Sequence, residues 1–434
     1  MDIDFLAELV ELDTNSDGKS NYSECATLIQ RKAQNLGFHA EVHSAEAEDR
    51  KPRPNVVIEL DAQAKQTLLL ATHYDTVGAG EGWKHPPFKL TIEGRKVYGR
   101  GAADDKGGIV AALSAMETLK KRESSKVNVK LLVTCDEEVG GEYGLGYLMD
   151  MKKEGCFLIS GDAAILIDAG PRVYIGSSGR AAGRLRATGS LSELLPLLEV
   201  IAYSKKREKV LSKLTSASTG RRIWGRISLT MLDLTAGVVE YAKAGVKSNI
   251  IPGECRIKLR EEDEKLILGK QGHAGYPHLA ENAINKSIPL LKKAAKLSDD
   301  RGRCDFVFDL RTIPEESLDL VLVDFEKYVK TIHPSAELKI EEKTEGYLIS
   351  ETHPFVGMMK KASGEKNAYG ELGGTDAQFF YRRGIPSVCF GPISDESSIH
   401  GKDEFVRIKD VEFVSSSIVK LCEDWEDFKT SRYG

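Results

Sequence analysis

The sequence predicts an α/β protein with a mostly parallel sheet, interrupted by an inserted α+β module. Three observations carry that reading. Short, continuous apolar runs ("NVVIELD", "QTLLLATHYD", "VNVKLLVTCDEE", "AAILIDAG") alternate with helical patterns, as do strands of a parallel sheet covered on both faces. The chain has 434 residues, more than one ordinary core holds, so two domains are expected. The pattern changes after about residue 172 and changes back near Gly346, which places the second domain inside the first.

Taken in order, "DFLAELVEL" is an amphipathic helix. In "NYSECATLIQRKAQNLGF", Asn21 and Glu24 have capping-box spacing, and Gly37 stands where a left-handed residue would end the helix. "HAEVHSA" reads as a strand, "TIEGRKVYGRG" as a hairpin, "GGIVAALSAMETLKK" as a helix opening on glycines, and "GYLMDMKKEG" as a short helix. In the insert, "GRAAGRLRATG" alternates like a strand and "LSELLPLLEVIAYSKKREKVLSKLTSA" is a charged helical region. Strand-like pieces run through "KSNIIPGECRIKL" and "EKLIL". The insert closes with a helix at "HLAENAINKSIPLLKKAAKL", a strand at "CDFVFDLR", a helix at "PEESLDLVLVDFEKYVKTI" and a strand at "AELKIEEK". "HPFVGMMKKA", "GIPSVCFGP" and the helix "KDVEFVSSSIVKLCEDW" return to the first domain. There is no internal repeat and no low-complexity linker.

Composition excludes several functions. With 41% hydrophobic and 29% charged residues the chain is globular rather than disordered. A net charge of -5 without a long basic block argues against nucleic acid or an anionic membrane as partner. "MDIDFLAELVEL" is acidic and unlike a signal peptide, and no apolar run is long enough to span a membrane. The seven cysteines are odd in number, scattered and without a CxxC. They read as reduced core residues of a cytoplasmic protein, not as a disulfide frame or a Cys-type zinc site.

The chemistry lies at the ends of the apolar runs. His73 with Asp75, Glu137 with Glu138, and Asp168 each follow such a run, and in parallel sheets ligands gather at the carboxyl ends of strands. A charged pair such as Glu137–Glu138 is ordinarily just a wet turn. Here the "GRGAADDKGG" loop adds Asp104 and Asp105, and "SSIHGKDEF" adds His400. A mixed His/carboxylate set suits zinc, with cobalt or manganese as substitutes. Two ions explain the surplus of acids, since a carboxylate can bridge a pair about 3.5–4 Å apart. One glutamate then binds an ion while its neighbour takes a proton from water. Asp75, two residues after His73 on one strand face, is placed to fix the imidazole.

"ATHYDTV", "VYGRGAADDKGG", "CDEEVGG", "GKQGHAGYPHLAENAI", "GGTDAQFF" and "SSIHGKDEFV" together resemble the two-zinc exopeptidases and deacylases. That family includes glutamate carboxypeptidase, carnosinase-like dipeptidases, aminoacylase, acetylornithine deacetylase and succinyl-diaminopimelate desuccinylase. The resemblance implies that His73 and Asp168 bind one ion, Glu138 and His400 the other, and that Asp104 bridges both. It implies Asp75 as the residue orienting His73, Glu137 as general base, and a cis Asp104–Asp105 peptide. It further implies His273 as an oxyanion donor crossing from a partner subunit, hence a homodimer, and Arg311 as the holder of the substrate carboxylate. Asn249 and the Gly373–Gly374–Thr375 loop resemble further substrate contacts. Against these stand plainer roles: Arg311 as a strand-end salt bridge, His278 as a helix-start residue, and His39, His43, His85, His333 and His353 as surface or packing residues.

The implied architecture is a catalytic domain of residues 1–172 and 346–434 with a ferredoxin-like lid and dimerisation domain, 173–345, inserted. The implied activity is cleavage of an amide bond near a free carboxylate in a small peptide or N-acyl amino acid. Asp rather than Glu at position 168 resembles the peptidase side, so an exopeptidase is favoured over a deacylase, and both over a non-catalytic metal-binding scaffold. Two departures stand out. "SNIIPGEC" precedes "GKQGHAGYP", whereas relatives have the reverse, which implies a permuted or enlarged lid. Gln378 also stands where relatives often carry arginine.

Overall fold

The strand Thr67–His73 explains how the first half of the chain is built. Leu68, Leu69 and Leu70 are fully buried in succession, so both faces of the strand are covered, and each such leucine contributes about 1.5–3 kcal/mol of burial. The computed structural model describes residues 1–201, 203, 227–245, 248, 250–274, 280–314, 316–371 and 374–428. The chain divides into two compact units, 1–176 with 349–369 and 375–434, and 177–348 with 370–374.

In the first unit, strands lie in the order His39–Glu46, Pro52–Leu60, Asn128–Thr134, Thr67–His73, Ala163–Leu166, Ser387–Cys389, Tyr174–Ser177. The four from Asn128–Thr134 to Ser387–Cys389 are parallel. Antiparallel strands extend that block on both sides. Three of the parallel strands end at His73, Thr134 and Leu166, so His73, the Glu137–Glu138 pair and Asp168 all leave from one edge. The helix Lys106–Arg122 is buried along most of its length and opens on two glycines for a steric reason. A Cβ at Gly108 would stand 2.2 Å from Asp105 Oδ1, and one at Gly107 would stand 2.4 Å from the carbonyl of Ala102. Buried Lys106 donates to the carbonyls of Leu9 (2.8 Å) and Leu12 (2.9 Å), closing the end of the helix Ile3–Glu11.

Three local readings change. Asn21 adopts a left-handed φ of 52° and makes no side-chain cap; its amide donates instead to the carbonyl of Asp13. Gly37, at φ 78°, does end that helix in the left-handed region. "GYLMDMKKEG" is helical only over Tyr147–Asp150; the rest turns into a hairpin, Lys152–Lys153 with Cys156–Phe157. The strand Thr67–His73 stops at His73, so Asp75 lies beyond it rather than on its face.

The second unit has an antiparallel sheet in the order Glu337–Thr344, Gly179–Ser190, Arg301–Thr312, Ile227–Ala236, Val239–Ala244, Glu254–Leu259, Lys265–Leu268. Its first four strands, with helical turns from Leu191 and the helix Leu318–Ile332, form the βαββαβ pattern of a ferredoxin-like fold. The other strands and the helix Ala283–Ala294 are an insertion between the second and third strands of that pattern. The lid is therefore enlarged, and "SNIIPGEC" and "GKQGHAGYP" both fall within that insertion. Most of the charged helical region, 204–217, lies outside the described residues. No helix among the described residues is long and apolar enough to cross a membrane.

Candidate metal centre and active site

Five side chains converge at the edge of the parallel block. His73, Asp104 and Asp168 form one group of potential metal donors, and Asp104, Glu138 and His400 form a second; within each, the donor atoms lie within 4.8 Å of one another. Asp104 belongs to both. His73 Nε2 lies 3.1 Å from Asp104 Oδ1 and 4.0 Å from Asp168 Oδ2. His400 Nε2 lies 3.1 Å from Asp104 Oδ2 and 3.0 Å from Glu138 Oε2. Two ligands on one tetrahedral zinc stand about 3.4 Å apart, so the spacing suits shared coordination. The His400 side chain is 41% exposed against 2% for His73, which marks the solvent side of the centre.

His73 and the Glu137–Glu138 turn are aimed through contacts to Asp75. His73 Nδ1 lies 3.0 Å from the carbonyl oxygen of Asp75 and 3.4 Å from its carboxylate. Both are acceptors, so Nδ1 carries a proton and Nε2 is turned to the centre. The Asp75 carboxylate has a second task that the sequence reading missed. Its two oxygens accept the backbone N–H groups of Glu137 and Glu138, both at 3.2 Å, and so hold the acidic turn against the His73 loop. The Asp104–Asp105 peptide is cis. Thr72 Oγ1 donates to Asp105 Oδ2 at 2.6 Å.

Asp136, just before the glutamate pair, has a left-handed φ of 60°. Its carboxylate takes Arg53 Nε at 2.5 Å, Tyr22 Oη at 3.0 Å and Lys19 Nζ at 3.0 Å. Two cations on one buried acid fix the chain direction entering Glu137. Among the motif residues nothing in the spacing pointed to Lys19, Tyr22 or Arg53, because each meets Asp136 only through the fold.

The charges fit a cation-binding role. Burial, then Asp168, pushes the Glu137 carboxyl well above its ordinary range, and burial with Asp104 raises Glu138. Burial disfavours charge on His400, but Glu138 and Asp104 outweigh it and raise the imidazole to about 11. His73 rises likewise: burial opposes its charge, while Asp104 and Asp75 favour it. Burial also raises Asp376, to about 8, with Asp75 and Asp168 adding to it and His73 opposing. Such a crowd of buried acids is one that divalent ions would satisfy, and metal binding there would release protons. The donor set, two imidazoles with three carboxylates and one carboxylate shared, fits a pair of ions.

The remaining predicted residues are placed separately. In the second unit, Arg311 is 5% exposed and donates from Nε to Asp309 Oδ1 at 2.7 Å; Asp309 also takes Arg180 at 2.7 Å. The backbone of Gly272–His273 pairs with Ile250–Ile251, His273 opposite Ile250, so the "NIIP" and "QGH" motifs are neighbours within the lid. Asn249 and Gly373 lie outside the described residues. Gly374 is exposed. Thr375 is buried, its hydroxyl 3.6 Å from Cys389 Sγ. Gln378 Oε1 accepts from Arg382.

The model of the peptidase family M20/M25/M40 matches residues 69–424. The chain belongs to this family. An uncharacterized metallohydrolase of Methanococcus maripaludis is 25% identical over 402 residues, covering 86% of this chain and 83% of that protein. A succinyl-diaminopimelate desuccinylase of Helicobacter pylori is 28% identical over 364 residues, covering 82% and 79%. In fold, the chain is similar to an M20 family metallo-carboxypeptidase from Sulfolobus solfataricus, with a TM-score of 0.65 at 18% identity over 98% of this chain and 99% of that one. The chain is thus an M20-family hydrolase, with peptidases and a desuccinylase among its relatives.

Proposed function

We propose that this M20-family protein is a two-zinc amide hydrolase acting next to a free substrate carboxylate, and that it is an exopeptidase (a carboxypeptidase or dipeptidase). The observation that carries the reading is the pair of donor groups sharing Asp104, with Glu137 beside them on a turn anchored by Asp75. In this reading His73 and Asp168 hold one ion, Glu138 and His400 the other, and Asp104 both; cobalt or manganese can replace zinc. Bound there, the ions would supply Lewis acidity and a water acidified towards neutral pH. Glu137 takes the proton of the attacking water and returns it to the leaving nitrogen. Asp75 keeps the His73 tautomer, Arg311 receives the substrate carboxylate, and Asn249 with Gly373, Gly374 and Thr375 lines the substrate. Seven cysteines outside any disulfide support a cytoplasmic location.

The carboxypeptidase relative and Asp168 favour the exopeptidase. The desuccinylase relative favours a second reading, removal of an acyl group from an amino acid. A screen of dipeptides and C-terminally extended peptides against N-acetyl and N-succinyl amino acids, with zinc, cobalt or manganese added, separates them. We expect turnover of unblocked peptides; hydrolysis of acyl amino acids alone makes the chain a deacylase, and no turnover of either overturns both.

His273 is proposed to serve the active site of a partner subunit in a homodimer. Losing one oxyanion donor lowers the rate by about a hundred- to thousandfold. His273→Ala and Glu137→Gln proteins, each inactive, are mixed under conditions that exchange subunits. Part of the activity is expected to return, because one site of the mixed dimer then pairs an intact Glu137 with an intact His273. No recovery despite proven exchange assigns His273 to its own chain or to no catalytic role.

A further inference from the structure

A buried ion pair lies directly behind the second donor group. Arg100 is 1% exposed and Glu404 is fully buried. Arg100 Nη1 meets Glu404 Oε2 at 2.5 Å. Glu404 Oε1 accepts the backbone N–H of Ala103 at 2.9 Å and of Asp104 at 3.1 Å. Arg100 Nη2 donates to the carbonyl of Gly401 at 2.7 Å. One pair of side chains therefore grips the loop of Asp104 on one side and the loop of His400 on the other. The strand pairing of Lys96–Tyr98 with Phe405–Arg407 holds the same two segments in register just beyond it.

We propose that Arg100 and Glu404 are positioning residues that set Asp104 against His400, so that the Asp104–Glu138–His400 group can hold its ion. The proposal rests on the two-metal reading above and adds a division of labour to it. His400 reaches the centre from a turn with φ 59°, followed by the glycine whose carbonyl Arg100 takes. The first group is aimed differently: His73 sits at a sheet strand end and is fixed by Asp75. Both groups contain Asp104, but only the second contains His400, whose loop the pair also grips, so a positioning pair weakens the second group more than the first, whereas a pair that merely stabilised the fold would weaken both alike.

The chemistry of the pair suits this task. A carboxylate with one oxygen on two N–H groups and the other on a guanidinium is held at both oxygens, and truncating one partner leaves a buried charge unmatched. The guanidinium fork serves two acceptors at once, which a lysine ammonium at the end of a flexible stem does not reproduce.

The test compares wild type, Glu404→Gln and Arg100→Lys by equilibrium dialysis against zinc, with bound metal counted by elemental analysis, and against cobalt, with the visible spectrum recorded. Circular dichroism and thermal unfolding select folded variants. Wild type is expected to take up two ions. Folded Glu404→Gln is expected to keep one with wild-type affinity and bind the second at least tenfold more weakly, with half of the cobalt absorption missing at matched free metal. Arg100→Lys is expected to shift the same step, by less, and it carries the test if Glu404→Gln does not fold. Two ions held with wild-type affinity in a folded variant, or parallel loss of both, overturns the positioning role. A wild type that never binds a second ion overturns the two-metal reading and this role with it.

Discussion

Glu137→Gln is expected to bind metal as the wild type does and to lose turnover by at least about a thousandfold. General acid–base catalysis contributes typically a hundred- to ten-thousandfold, and a thousandfold is about 4 kcal/mol of barrier. The substitution is nearly isosteric, and the backbone N–H of residue 137 keeps its bond to Asp75 Oδ1. The acidic turn therefore stays in place while the proposed acceptor of the water's proton disappears. Two measurements check this: metal content by elemental analysis, expected unchanged, and kcat on the best substrate from the screen. Activity within about tenfold of wild type would assign the base to another group. Asp376 is then the next residue to substitute, since it is buried and interacts electrostatically with His73, Asp75 and Asp168.

Asp104→Ala is expected to abolish activity altogether, and more completely than loss of any other single ligand. Asp104 is the one residue that both donor groups contain. Its carboxylate also answers both imidazoles, His73 through Oδ1 and His400 through Oδ2. Burial alone would raise its pKa, but His400 and His73 hold it well below the carboxylate range. Without it, the two histidines lose their common counter-charge as well as their common ligand. The expected readout is a fall from two bound ions to at most one, with no recovery on adding zinc. Chelator-treated wild type, by contrast, should regain activity on readdition. His400→Ala gives the reference: it should lose one ion only. Retention of both ions by Asp104→Ala would remove the bridge from the mechanism.

The five proposed ligands stand out in the sequence because each falls at a strand end or in a motif. Strand carboxyl ends place His73, Glu138 and Asp168, and short motifs place Asp104 and His400. The residues that aim them were not legible in role. Glu404 lies inside a motif and Arg100 inside another, but their link joins segments some three hundred positions apart and leaves no spacing signal. The same holds for Arg53 and Lys19 on Asp136. Asp75 was read as a partner of His73 by strand alternation. The strand ends at His73, two residues before it, yet the carboxylate still lies 3.4 Å from His73 Nδ1 and holds the glutamate turn as well. Asn21 misled because an asparagine before a helix is as ready to turn left-handed as to cap. The lid's extra strands are an insertion between neighbouring strands of a regular pattern, which periodicity alone does not reveal.

The order of strands in the first sheet bears on how the protein is made. Ser387–Cys389 lies between Ala163–Leu166 and Tyr174–Ser177, two strands close to each other in the chain. During synthesis, at roughly 5–20 residues per second, the earlier strands emerge with that slot empty. The exposed edge of Ala163–Leu166 is a template for wrong pairing until residue 389 leaves the ribosome. His400 follows a few residues later, so the second ligand group is completed almost as the sheet closes. A nascent chain stalled before residue 387 would thus carry His73, Asp104 and Asp168 on an unfinished sheet with an open strand edge.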